Sequence, residues 1–186
     1  MPKLLRPKKK RARKFDVIEH VHRFAAWAAS TAARQGMHKL KGKVGLQIIE
    51  NVHLDKVLRG GLRHFHHKKS VDKWHKEMRK RIICEADDLG LKLSHGVAAK
   101  LVNVYLKAGF VTIANKDDKE VGHLHPPIDH AVLKGMESGD SKFPRGLRWS
   151  KLNSEQYQAV IDNVRTQLGD EKRLWMIERY FEGYQG

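Results

Sequence analysis

Two side chains in this sequence have the type and setting for covalent chemistry. Lys100 closes the segment Gly96-Val97-Ala98-Ala99-Lys100, and Asp129 lies in Pro127-Ile128-Asp129-His130. A lysine attacks carbon only as its neutral amine, which needs a pKa lowered by burial or by nearby cations. Lys92, Lys107 and the general excess of positive charge push Lys100 that way. A carboxylate is the natural complement where positive charge builds on a sugar, as in the oxocarbenium-like state of glycosidic-bond cleavage. Pro126-Pro127 restrict the backbone ahead of Asp129, at a place where a helix can begin. Each residue also has a plainer reading. Lys100 sits at the shoulder of an apolar stripe, where a lysine can simply snorkel to water. Asp129 can be an ordinary helix cap.

The balance of charge points to a polyanion as partner. Lys and Arg total 37 against 21 Asp and Glu, a formal net charge of +16. Nucleic acid is the first expectation and an acidic membrane surface the second. The 186 residues suit one domain, or a domain plus an arm, and the 40% hydrophobic share can build a core. No apolar run approaches the roughly 20 residues of a bilayer span. The basic N-terminus has no apolar stretch after it, so it does not read as a secretory signal. Cys84 is the only cysteine. An internal disulfide and a cysteine-rich zinc site are therefore excluded, and a reducing interior is expected. The expected location is the cytoplasm, with the nucleoid as its place in a bacterium.

Residues 1–14 carry Lys3, Arg6, Lys8, Lys9, Lys10, Arg11, Arg13 and Lys14 without one acid. Such a run repels itself and reads as a disordered arm that can clamp phosphates. Residues 15–186 are expected to form a single compact, all-α domain. Asp16 and Glu19 have capping-box spacing ahead of an alanine-rich helix that carries Val17, Val21, Phe24, Ala25, Ala28 and Ala32 at helical spacing and stops at Gly36. A second helix is expected from Val44 to Arg59, before Gly60-Gly61. Ser70 can cap a third, with Val71, Trp74, Met78 and Ile82 as its buried stripe and Leu89-Gly90 as its end. The next starts near Ser94 or Val97. There Val97, Leu101, Val104 and Ala108, spaced by four, three and four, give a narrow apolar stripe that Gly109 closes. Residues 110–127 read as extended segment and loop, with Phe110 to Ile113 the one stretch that allows a strand. A short helix over Ile128 to Met136, a loop over 137–151, a helix capped by Asn153 and Gln156 up to Leu168, and a last helix from Glu171 to Phe181 complete the chain.

Three further groups bear on function. The corner within residues 78–108 reads as a helix–hairpin–helix. A tight turn before a helix leaves backbone N–H groups, those of Gly96 and Ala98 among them, for a phosphate; Gly96 admits a close approach, Ala98 in place of a glycine admits it less well, and Lys92 and His95 add charge. The plainer reading is an ordinary helical corner. The loop Lys142 to Lys151 mixes Arg145 and Arg148 with Phe143 and Trp149. It is the expected DNA-contacting element, with the two aromatics stacking on bases, unless Trp149 merely anchors the loop on the core. Trp27, Trp74, Tyr105, Trp175 and Tyr180 are the other aromatics available to receive an extruded base, most of them at core spacing. Among the 12 histidines, His64, His66, His67 and His75 cluster, and His123 and His125 precede the prolines. No HExxH pattern or interleaved carboxylates accompany them, so no metal site is assigned and the histidines read as surface or phosphate-contacting.

The Gly96–Lys100 segment resembles the glycine-rich hairpin of the helix–hairpin–helix DNA glycosylase superfamily, and Pro127-Ile128-Asp129-His130 is similar to its later aspartate segment. In bifunctional members a catalytic lysine lies two residues after the hairpin's second glycine, which is the place of Lys100. Ala98 stands where the second glycine would be. The spacing from Lys100 to Asp129 is similar to that of the compact archaeal-type 8-oxoguanine glycosylases. The resemblance covers roughly residues 78–136. It implies an enzyme that flips a damaged or modified base out of double-stranded DNA and cuts its N-glycosidic bond, as a monomer and with no cofactor. Asp129 would stabilise the sugar cation and Lys100 would serve any lyase step. The excised base could be an 8-oxoguanine-type lesion or a hypermodified base of the kind some bacteriophages carry. A non-enzymatic DNA-binding protein using the same hairpin, and a histidine-metal nuclease, are the alternatives.

Overall fold

A computed structural model describes residues 16–63, 65, 67–114, 119–139, 143–171 and 173–180. The basic arm 1–14, Lys142, His64 and His66 lie outside the described residues. The fold is all-α, and among the described residues there is no strand. Its helices are α1 (Val17–Ala33), α2 (Gly42–Asn51), α3 (Asp55–Gly60), α4 (Lys68–Asp88), α5 (His95–Gly109), α6 (Lys119–Gly122), α7 (His130–Gly139) and α8 (Ser154–Leu168). Short 3₁₀ segments cover Val111–Ile113, Trp149–Lys151 and Leu174–Tyr180.

Helix α5 is the axis of the molecule. Its residues from Gly96 to Asn103 are all buried, because α1 packs along one side and α4 along another. The narrow apolar stripe expected of this helix is therefore replaced by burial all round. The helical stretch His95–Ile113 is long and apolar enough to cross a bilayer, with a mean hydropathy of 1.3 over an 18-residue window. Here it is the core helix, and one hydrophobic cluster runs around it from Ala25 to Ile177. Alanines make the close approach of α1 possible: Ala25, Ala26, Ala29 and Ala33 are fully buried, whereas Val17 and Phe24 of the expected apolar stripe are exposed.

Local chemistry sets most boundaries. Asp16 caps α1, its Oδ1 accepting the N–H groups of Ile18 and Glu19 at 3.0 and 3.3 Å. Glu19 does not close the box; its carboxylate takes Arg23 and Arg59 instead. Asn153 and Gln156 do form a full capping box on α8. Ser70 does not cap α4. That helix starts earlier, at Lys68, and the Ser70 hydroxyl donates to the His67 carbonyl at 2.6 Å.

Three expected elements differ. The helix expected from Val44 to Arg59 is two helices, because His53 adopts a left-handed φ of 59° and turns the chain so that Val52 and Leu54 both reach the core. The segment 110–127 is not all extended and loop: Val111–Ile113 form a 3₁₀ turn continuing from α5, not a strand, and Lys119–Gly122 form α6. The last helix is 3₁₀ rather than α, over Leu174–Tyr180.

Candidate active site

Helix α5 carries the site. Lys100, Val104, Lys107 and Ala108 succeed one another at helical spacing along one wall of a cleft of about 410 Å3. Ala28 and Ala32 of α1, Gln35 just beyond its end, and Pro127, Asp129 and Val132 also line it. The volume falls in the range of small-molecule sites.

The two residues singled out by chemistry meet in this cleft. Lys100 Nζ lies 3.3 Å from Asp129 Oδ2 and also donates to the Ile128 carbonyl at 3.3 Å. The plainer reading of a solvated flank lysine is overturned, since Lys100 is only 4% exposed. Burial lowers its pKa, and the Asp129 carboxylate opposes that shift. The ring of Trp149 adds a cation–π contact, its centroid 5.4 Å from Nζ. Asp129 serves two purposes at once. Its Oδ1 accepts the Val132 N–H at 3.0 Å, starting α7, while Oδ2 faces Lys100. One aspartate at a helix N-terminus is thereby fixed in orientation and left 20% open to the cleft.

A buried polar network holds the 125–129 segment against α5. Asn103, one turn beyond Lys100, donates from Nδ2 to the Pro126 carbonyl at 2.8 Å and to the Tyr157 hydroxyl at 3.0 Å. Its Oδ1 accepts from His75 Nε2 at 2.7 Å. His125 Nε2 meets Asp72 Oδ1 at 2.7 Å, and its Nδ1 meets the Tyr157 hydroxyl at 3.2 Å. Arg165 completes the end of the chain, donating to the same Asp72 oxygen at 2.7 Å. The directions agree if His75 and His125 are neutral: each gives one ring N–H to an oxygen, and Tyr157 donates to His125. Burial drives both imidazoles in that direction, well below the usual histidine range for His75. Burial pushes Asp72 up, but its hydrogen bonds to His125 and Arg165 outweigh this and bring it down to about 2.

The turn before α5 does not have the phosphate cradle expected of it. The Gly96 N–H donates to the Leu152 carbonyl at 3.1 Å, the Val97 N–H to the Ser94 hydroxyl at 3.1 Å and the Ala98 N–H to the Ser94 carbonyl at 3.0 Å. Gly96 and Ala98 are buried, so neither offers backbone to a ligand. Gly96 is needed for a protein contact instead. A Cβ there would lie 1.7 Å from the Trp149 carbonyl oxygen. Lys92 is exposed and pairs with Asp87 at 3.2 Å, and His95 is half-buried with an Nδ1 that has no partner.

The base-stacking assignment to Phe143 and Trp149 is also corrected. Both are buried, and Trp149 anchors the loop on the core beneath Gly36 and Gly96. Arg145 and Arg148 remain exposed, as a cationic loop requires. The histidine reading changes as well: His75 and His125 are internal, not surface, groups. A signal for His75 was present, since Val71, His75, Met78 and Ile82 are spaced by four, three and four and all are buried. Among the described residues no three His, Cys, Asp or Glu side chains come together as a metal-ligand set.

No protein-family model, curated protein or solved structure matches this chain. What can be said of its function therefore comes from the site.

Proposed function

We propose that this protein is a DNA N-glycosylase, an enzyme that receives an extruded, modified base in the α1–α5 cleft and cuts its bond to deoxyribose. The observation that carries the reading is the 3.3 Å approach of Lys100 Nζ to Asp129 Oδ2 on the wall of a nucleotide-sized cleft. Burial eases loss of the Lys100 proton, which is the condition for attack on C1′. In the lyase version the amine nitrogen bonds to C1′ as the C1′–N bond breaks. The base departs with the bonding pair and is neutralised by the proton the lysine gives up. The sugar ring then opens to a Schiff base. In the hydrolytic version water takes the place of the amine. Asp129 faces the positive sugar in both, stabilising it electrostatically. The net charge of +16 supplies affinity for the phosphate backbone.

Duplexes carrying different modified bases, incubated with the protein and then treated with alkali, test the proposal. Alkali-dependent breaks at a modified position are expected, with borohydride trapping a covalent adduct if the lyase version operates. Lys100→Gln should abolish trapping, and Asp129→Asn should abolish base release. Undiminished trapping with Lys100→Gln sinks the lysine assignment. Salt-sensitive binding with no base release would make the chain a non-enzymatic DNA-binding protein, and chelator-sensitive breaks elsewhere would make it a nuclease.

A further inference from the structure

The outer face of α1, beside the cleft, carries large apolar side chains in solvent. Phe24 is 54% exposed and Trp27 is 59% exposed, their ring centroids 5.8 Å apart. Phe24 precedes Ala28 by one turn, and Trp27 adjoins it in sequence; Ala28 lines the cleft. Across the opening Ile113 is 76% exposed and follows Thr112, another lining residue. Three of the large exposed apolar side chains are therefore set at or within one turn of the cleft wall. Along α1 and its C-terminal capping residue, Val17, His20, Phe24, Trp27, Thr31 and Arg34 recur at helical spacing, all exposed and none acidic. The stripe extends for about 25 Å at 1.5 Å per residue.

We infer that this stripe is a stacking surface for unpaired nucleobases flanking the cleft. The inference rests on the nucleic-acid part of the reading above, and goes beyond it in selecting the form of the substrate. Aromatic faces and base faces stack without regard to sequence. The chain's net charge of +16, with Arg34 at the end of the stripe, favours a polyanion over a neutral apolar partner. Two aromatics fixed one turn apart on a 17-residue helix cannot both reach base faces inside a closed duplex, where stacking already covers them. They fit bases that are already splayed: a single strand, a bulge or a mismatch. The helix supplies rigidity, so little side-chain freedom is lost on contact.

The test uses the full chain, a single-stranded oligonucleotide, a duplex with one unpaired base, a fully paired duplex and phosphatidylserine vesicles. The single strand should quench tryptophan fluorescence in the wild type, and Trp27→Ala should remove most of that quenching. The double variant Phe24→Ala/Trp27→Ala should lose about tenfold or more in affinity for the single strand and the bulged duplex. Affinity for the paired duplex should change by less than about twofold. Helical content by circular dichroism should be unchanged, because both side chains project into solvent. Equal loss on all three nucleic acids, or loss confined to vesicle binding, overturns the inference. Base release on the same preparations separates the two proposals. Normal unpaired-base affinity in the double variant, with Lys100-dependent release intact, sinks stacking and leaves excision standing. Stacking by a wild type that releases no base sinks excision and leaves stacking standing.

Discussion

The side-chain amide of Asn103 and the main-chain carbonyl of Pro126, 2.8 Å apart, join α5 to the segment that carries Asp129. One turn earlier Lys100 grips the same segment through Ile128. The carboxylate is thus placed by two contacts from the helix that also carries its partner amine. Asn103→Leu removes the first grip and leaves the Pro126 carbonyl, the His75 N–H and Tyr157 with a buried partner missing. We expect a loss of about 2–3 kcal/mol in urea unfolding. Base release should slow while affinity for an uncleavable duplex holds. Wild-type release rates in this variant would deny Asn103 a positioning role.

Gly96 is the tightest contact between α5 and the loop that follows α7. Gly96→Ala drives a Cβ into the Trp149 carbonyl, a backbone atom that cannot swing aside. Denaturant unfolding should show a loss of about 3 kcal/mol or more. Gly42→Ala is the matched control, since a Cβ there meets nothing within 4 Å at the start of α2. It should be neutral or stabilising by up to about 1 kcal/mol.

Acid should unfold this protein earlier than its carboxylates alone require. His75 and His125 are held neutral in the fold, with folded pKa values below their usual 6.5. Below that pH the unfolded chain binds more protons than the folded one. Their contribution is therefore present above about pH 6.5 and lost as pH falls, at up to about 1.4 kcal/mol per unit for each group. Asp72, lowered from 3.8 to about 2, adds a second loss between those values. Urea titrations across this range should show decline from about pH 6.5 and a steeper fall below about 4. His75→Gln keeps a donor for Asn103 and should flatten the first limb. A flat profile down to pH 4 in the wild type would show that the buried imidazoles are not neutral.

The helices were legible wherever one residue decided them. Asp16, Asn153, Gly90 and Gly169 mark their helix ends by side-chain caps or positive φ. Lys100 and Asp129 were legible as chemical types, and the fold brings them together across 29 positions of sequence. The His53 turn was not legible, because no glycine or proline announces it. Trp149 misled for a related reason. An aromatic beside arginines fits both a nucleic-acid loop and a loop pinned to the core, and only its close contacts with Gly36 and Gly96 decide. Phe24 and Trp27 lay within an apolar-rich helix whose alanines, not its aromatics, face the core; pattern alone counts both as core.

The Lys100–Asp129 pair should respond asymmetrically to mutation. Lys100→Met replaces a buried ammonium with an apolar chain of similar length. Asp129 keeps its bond to Val132 and its partial access to water. Stability should stay within about 1 kcal/mol of wild type or rise, while borohydride trapping disappears. Asp129→Ala does the reverse. It strips the cap from α7 and leaves a lysine that is 4% exposed with the Ile128 carbonyl and the Trp149 ring but no counter-charge. The expected cost is about 3 kcal/mol near neutral pH. Its pH dependence identifies the cause. Burial already lowers the Lys100 pKa, and losing the carboxylate removes the influence that raises it. The folded variant then sheds this proton at a lower pH than the unfolded chain, whose lysine holds it to about 10.4. Across that window the unfolded state binds more protons, so stability rises with pH. The deficit of Asp129→Ala should therefore narrow as pH increases from 7 towards 10. A deficit that stays constant would assign the whole loss to the missing cap.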